Sequence, residues 1–83
     1  MIRIPADMSQ FLPMTRETAT RIAAAAGRFD CTITLEKDGI VLNLKSMIGL
    51  LSQSIPKDGR MTLVADGEDE AEAMEEMKKI VGG

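Results

Sequence analysis

Ser46 stands directly ahead of a short apolar run, Met47 to Leu51, with Lys45 on its other side. A hydroxyl at such a point can accept an orphan backbone N–H at a helix start. It can also be a phosphate acceptor, since phosphoserine brings about −1.5 to −2 charge and three strong acceptor oxygens. A plain N-cap, worth about 1 kcal/mol to its helix, is the simpler alternative, and the two roles can coexist. Further upstream, Arg16 stands at the start of another helical pattern, where an ordinary surface arginine is the simplest reading. The rest of the chemistry is thin. The chain has no histidine, and Cys31 is its lone cysteine. No imidazole can therefore act as base, metal ligand or phosphoryl acceptor, and Cys31, opening an apolar alternation, reads as a small core residue. The carboxylates from Glu68 to Glu76 lack the turn-forming ligand loop of a calcium site and read as a solvated helix face. No nucleophile–base pair is visible, so no catalytic residue, enzymatic activity, metal or cofactor is expected.

The elements that must position these residues can be read from periodicity. Residues 2–7 set Ile2 and Ile4 against Arg3 and Pro5, a strand pattern, and Pro5, which cannot donate to a ladder, favours an edge position. A loop is expected from Met8 to Met14, because Pro13 discourages helix before it. Ala19, Ile22, Ala23 and Ala26 then form one stripe of a helix, with Thr15 as N-cap and Gly27 as stop. Cys31, Ile33 and Leu35 alternate as a strand, Asp38-Gly39 is a hairpin turn, and the return strand runs through Ile40, Leu42 and Leu44. A short helix follows Ser46, from Met47 to about Ser54, closed by Pro56. Lys57-Asp58-Gly59 makes a turn into a fourth strand carrying Met61, Leu63 and Ala65. The last helix has acids in its first turn and Lys78-Lys79 in its last, complementing the macrodipole. Its inward stripe is expected at Ala73, Met77 and Ile80, with Met74 and Val81 beside it and Gly82-Gly83 ending it.

The resulting order is β-α-β-β-α-β-α, an α+β open-faced sandwich in which three helices cover one face of a four-stranded antiparallel sheet. Eighty-three residues make a single domain, 1–83, that buries about 60% of its unfolded surface. With aromatics at 2% and seven methionines, its core must be aliphatic. A net charge of −3, and only Phe11 and Phe29 as aromatics, argue against nucleic acid, which calls for a basic, stacking surface. No long apolar run suggests a membrane span. A single cysteine and no signal-like opening point to the cytoplasm.

Two stretches are more specific than the element order. Lys45-Ser46-Met47-Ile48-Gly49-Leu50-Leu51 and Gly67-Glu68-Asp69-Glu70-Ala71-Glu72-Ala73 resemble, in order and spacing, the regulatory-serine segment and the junction into the last helix of the HPr family, the phosphocarriers of the bacterial sugar phosphotransferase system. The resemblance covers nearly the whole chain. It fails at the active segment, where the family carries a Gly-Leu-His-Thr-Arg-Pro-Ala type of run. Here Phe11-Leu12-Pro13-Met14-Thr15-Arg16-Glu17 matches at Thr15 and Arg16, leaving Met14 at the histidine position and Glu17 in place of proline. A thioether cannot carry a labile phosphoryl group as a ring nitrogen does.

The resemblance therefore implies a histidine-lacking protein similar to the catabolite-repression branch of the family. Its implied partners are a serine kinase of the HPr-kinase type, acting on Ser46, and a transcriptional regulator that reads the modified protein. Met47, Ile48 and Leu51 would form the docking face, with Leu50 turned inward, Arg16 and Lys45 nearby, and Met14 extending the apolar patch across the lost active site. A diverged binding module or dimer with no phosphorylation is the competing expectation.

Overall fold

The computed structural model describes residues 1–52, 55–56 and 58–81. Its elements are β1 (Ile2–Asp7), a 3-10 turn (Ser9–Phe11), α1 (Arg16–Ala26), β2 (Thr32–Lys37), β3 (Ile40–Asn43), α2 (Met47–Ser52), β4 (Arg60–Asp66) and α3 (Glu70–Val81). The strands form one antiparallel sheet in the order β1-β4-β2-β3. β1 is an edge strand, where Pro5 leaves no interior ladder short of a donor.

Register explains which side chains meet the helices. Ile4 pairs with Leu63, Leu63 with Leu35, and Leu35 with Leu42, so one apolar row crosses all four strands. Leu63, Leu35 and Leu42 are fully buried. Ala19, Ile22 and Ala26 of α1, Leu50 of α2, and Ala73, Met74, Met77 and Val81 of α3 close over that side. The next row, Arg3, Val64, Thr34 and Asn43, points to the open face. There Arg3 reaches across β4 to Glu36 at 3.2 Å, and Val64 is buried although it faces away from the helices.

Several boundaries differ from the sequence expectation, each for a local reason. Met8, expected in a loop, is fully buried because it continues the inward alternation of Ile2, Ile4 and Ala6. Its N–H bonds the Gly59 carbonyl at 2.7 Å, and Asp7 then accepts the Ser9 N–H at 2.8 Å to start the 3-10 turn. α1 ends at Ala26 as expected, yet Gly27 keeps right-handed geometry and does not use glycine's freedom. The turn into β2 is set instead by the Asp69 carboxylate, which accepts the N–H groups of Asp30 and Cys31 at 2.8 and 2.9 Å. In α3 the buried stripe is Ala73, Met77 and Val81, spaced by four, so Ile80 is only half-buried and turns toward α1. β3 stops at Asn43, although Leu44 is still fully buried and bonds the Ile33 carbonyl at 3.0 Å. The hairpin expected at Asp38-Gly39 is present, both residues having positive φ (48° and 86°), as a two-residue turn of this hand requires. The expectations for Ser54, Lys57 and Gly82-Gly83 lie outside the described residues.

Candidate functional site

α2 is only six residues long, so its own hydrogen bonds cannot sustain it and its ends must be fixed by neighbours. Asn43 begins this: its side-chain oxygen accepts the Lys45 N–H at 2.9 Å and its carbonyl accepts the Ser46 N–H at 3.0 Å. The chain is thereby turned from the sheet edge into the helix. Ser46 then caps α2, its Oγ accepting the Gly49 N–H at 3.0 Å and its carbonyl accepting the Leu50 N–H at 3.1 Å. Gly49 leaves room for that hydroxyl, since a Cβ there would stand 3.3 Å from Ser46 Oγ. Ser46 is half-buried.

The apolar residues of α2 divide by face. Leu50 is 1% exposed and anchors the helix in the core, whereas Ile48 and Leu51 are 74% and 42% exposed. Met47 is half-buried and faces α1, its sulfur 3.0 Å from the Thr20 hydroxyl. That hydroxyl also lies 2.8 Å from the Arg16 carbonyl, so the first turn of α1 and the first residue of α2 meet at Thr20. Met47 is thus partly an inter-helix contact, and the freely exposed apolar groups are Ile48 and Leu51.

Lys45 does not present a free charge. Its ammonium donates to the Phe29 carbonyl at 2.6 Å, tying the approach to α2 to the loop after α1. Arg16 is exposed at the first position of α1. Thr15 caps that helix by accepting the Thr18 N–H at 3.2 Å, while its own hydroxyl donates to Thr18 Oγ1 at 2.9 Å. Met14, just before this cap, is half-buried and packs against the core. Glu17 adds an exposed carboxylate to the same first turn.

The structure thus brings Thr20 of α1 and Met47 of α2 into contact, leaves Arg16, Ile48 and Leu51 exposed, and directs Lys45 to a backbone carbonyl. Thr20 and the Phe29 carbonyl escaped the sequence reading, because a threonine inside a helix and a backbone oxygen carry no pattern. Asp69 had a signal, a carboxylate at a helix start, but its bonds to the distant 30–31 segment were not foreseeable. Cys31 is buried and its thiol is pushed up to about 11, by burial first and by the Asp69 carboxylate second. Among the described residues, no group of three potential metal ligands is found, and no helix is long and apolar enough to cross a membrane.

An open-faced sandwich with a serine-capped short helix beside the start of the first long helix defines the class of HPr-like proteins. The family described as the PTS HPr component phosphorylation site matches residues 14–82, and this chain belongs to the HPr family. The HPr-like protein Crh of Bacillus subtilis is 45% identical over 56 residues, 68% of this chain and 66% of Crh, just under two thirds of that relative's length. The crystal structure of Crh from the same organism, described as a catabolite repression protein and a domain-swapped intertwined dimer, aligns with 40% identity and a TM-score of 0.68, covering 75% of this chain and 71% of Crh. The phosphocarrier protein HPr of Bacillus anthracis aligns with 29% identity and a TM-score of 0.80, covering 96% of this chain and 95% of HPr. The match is thus to HPr-like proteins of the phosphotransferase and catabolite-repression type.

Proposed function

We propose that this protein is a non-enzymatic regulatory member of the HPr family, phosphorylated on Ser46 and then bound by a transcriptional regulator. The observation that carries the proposal is the pairing of a capping serine with adjacent exposed apolar groups: Ser46 Oγ at the start of α2, and Ile48 and Leu51 on the solvent face of the same helix. A phosphate on Ser46 places charge beside a surface a partner can grip, and the chain's similarity to Crh supports that use. The macrodipole contribution of an exposed anion at a helix start is roughly 0.3–1 kcal/mol, too little to refold the domain. Modification therefore acts on the surface that is read, with Met47, Arg16 and Lys45 framing it. Transfer through a phosphohistidine is excluded by composition, since no histidine is present. Met14 is taken as the residue at the lost position.

The deciding experiment is intact mass after incubation with ATP and a serine kinase of the HPr-kinase type, with Ser46→Ala alongside. One added phosphate on the parent protein and none on the variant supports the proposal. No added phosphate on either shifts the reading to a constitutive binding module or dimer of the same fold. The swapped dimer described for Crh favours testing that second reading by sedimentation at the same time.

A further inference from the structure

A second surface lies away from the Ser46 face, in the groove between α1 and α3. It has a volume of about 410 Å³ and an apolar floor of Phe11, Ile22, Ala25 and Ile80. Ile22 is fully buried, while the other three are half-buried and form the part of the floor a ligand would touch. Arg21 and Arg28 line the same groove, and Glu76 stands on its α3 side. Both arginines are exposed.

Several cations of this chain have no carboxylate partner among the described residues, and two of them line this groove. Arg3 pairs with Glu36 and Lys37 with Asp58 away from the groove, and Lys79 pairs with Glu76 on its α3 side. Among the described residues, Arg21 and Arg28 pair with no carboxylate. With thirteen acidic against ten basic residues, two such arginines on one rim make a local cationic edge on an acidic protein.

We infer that the groove between α1 and α3 is a docking site for an acidic amphipathic helix of a partner protein, separate from the face around Ser46. Arg21 lies within α1 and Arg28 in the turn just past its end, where its N–H still bonds the Ala25 carbonyl at 3.4 Å, so seven residues at close to the helical rise separate them by about 10 Å. Carboxylates at i and i+7 of a partner helix have the same separation, so each can meet one guanidinium in a bidentate, charge-assisted pair. The partner's apolar residues at i+3 and i+4 then fall between those carboxylates, opposite Ala25 and Ile80. Ala24 and Ala25 are small enough to let a helix lie close. Glu76 on the far rim is paired with Lys79 at 3.5 Å, so the groove's unpaired charge lies on the arginine side, which suits a helix with one acidic edge.

The test uses a fluorescein-labelled helical peptide carrying Glu at two positions seven apart and Leu at the third and fourth positions between them. Fluorescence anisotropy should give half-saturation at micromolar peptide in low salt, weakening as salt is raised. The Arg21→Glu, Arg28→Glu double variant should lose roughly tenfold or more in affinity, with an unchanged circular dichroism spectrum. Ala24→Phe, which fills the groove from an exposed position, should block binding independently. Ser46→Ala should leave it unchanged, which separates this surface from the proposed switch. No saturation, equal binding by a peptide with Lys at both Glu positions, or binding retained in the double variant would overturn the inference. So would a concentration-dependent dimer abolished by Arg21→Glu, since the occupant would then be a second copy of this chain.

Discussion

The Lys45 ammonium donates a 2.6 Å hydrogen bond to the Phe29 carbonyl, joining the residue before Ser46 to the loop that ends α1. A lysine next to a serine switch invites the reading of a free counter-charge for phosphate. Its bond to a backbone carbonyl gives it a structural task as well. Replacing Lys45 with Met keeps the aliphatic stem and removes only the donor. The variant should lose about 1.5–3 kcal/mol, the range for a hydrogen bond that involves a charged group. Urea unfolding with an unchanged m-value measures this, and a loss near zero would show that the bond does not hold the loop to α2.

Asp69 secures the other side of the same loop by accepting the N–H groups of Asp30 and Cys31. The Asp30 N–H is the main reason its carboxyl is held below its ordinary value of 3.8, with Cys31 contributing further. A carboxyl lowered on folding contributes stability that is full above its unfolded pKa and is lost as pH falls through the lower folded value. Asp7 and Asp58, held down chiefly by Ser9 and by the Arg60 N–H, act in the same direction. Asp69→Asn should therefore make stability less dependent on pH between roughly pH 5 and pH 2 than in the parent. Parallel acid-denaturation curves for the two proteins would show that Asp69 does not carry this dependence.

The fold was legible in the sequence because its determinants are local. Alternation placed Ile33, Leu35, Leu42, Leu63 and Ala65 on the inner face, and Asp38-Gly39 fixed one hairpin. The capping roles of Thr15 and Ser46 were legible for the same reason, each bond closing within three residues. What escaped were relationships between elements. In α3, Ala73, Met74, Met77 and Val81 are buried while Ile80 is only half-buried, a division a one-dimensional pattern cannot show because it depends on how the helix sits on its neighbours. The contact of Thr20 with Met47 likewise exists only once α1 and α2 are packed. At the candidate site, the exposure of Ile48 and Leu51 and the burial of Leu50 follow the expected division, while Met47 is shared between surface and helix interface.

Cys31 offers a direct probe of native packing. Its side chain is 3% exposed, and its thiol is pushed up to about 11. Only the thiolate is nucleophilic, so at pH 8 the folded protein should react with iodoacetamide or a disulfide reagent far more slowly than the urea-unfolded chain. Equal rates in the two states would mean that the start of β2 opens freely and that the Asp69 clamp is weak.

α2 separates stability from recognition within six residues. Leu50 is its one fully buried side chain, so Leu50→Ala should cost about 2–4 kcal/mol through lost burial and the cavity left behind. Ile48, at 74% exposure, should tolerate Ser with a change within about 0.5 kcal/mol. Thermal or urea unfolding of the two variants checks the contrast. If Ile48→Ser is as damaging as Leu50→Ala, the exposed residue has a structural partner and the docking face is lost as a reading. If it is harmless to the fold, Ile48→Ser becomes the variant with which to test the proposed binding of a Ser46-phosphorylated form to a regulator. A folded, modified protein that no longer binds would locate recognition on this face of α2.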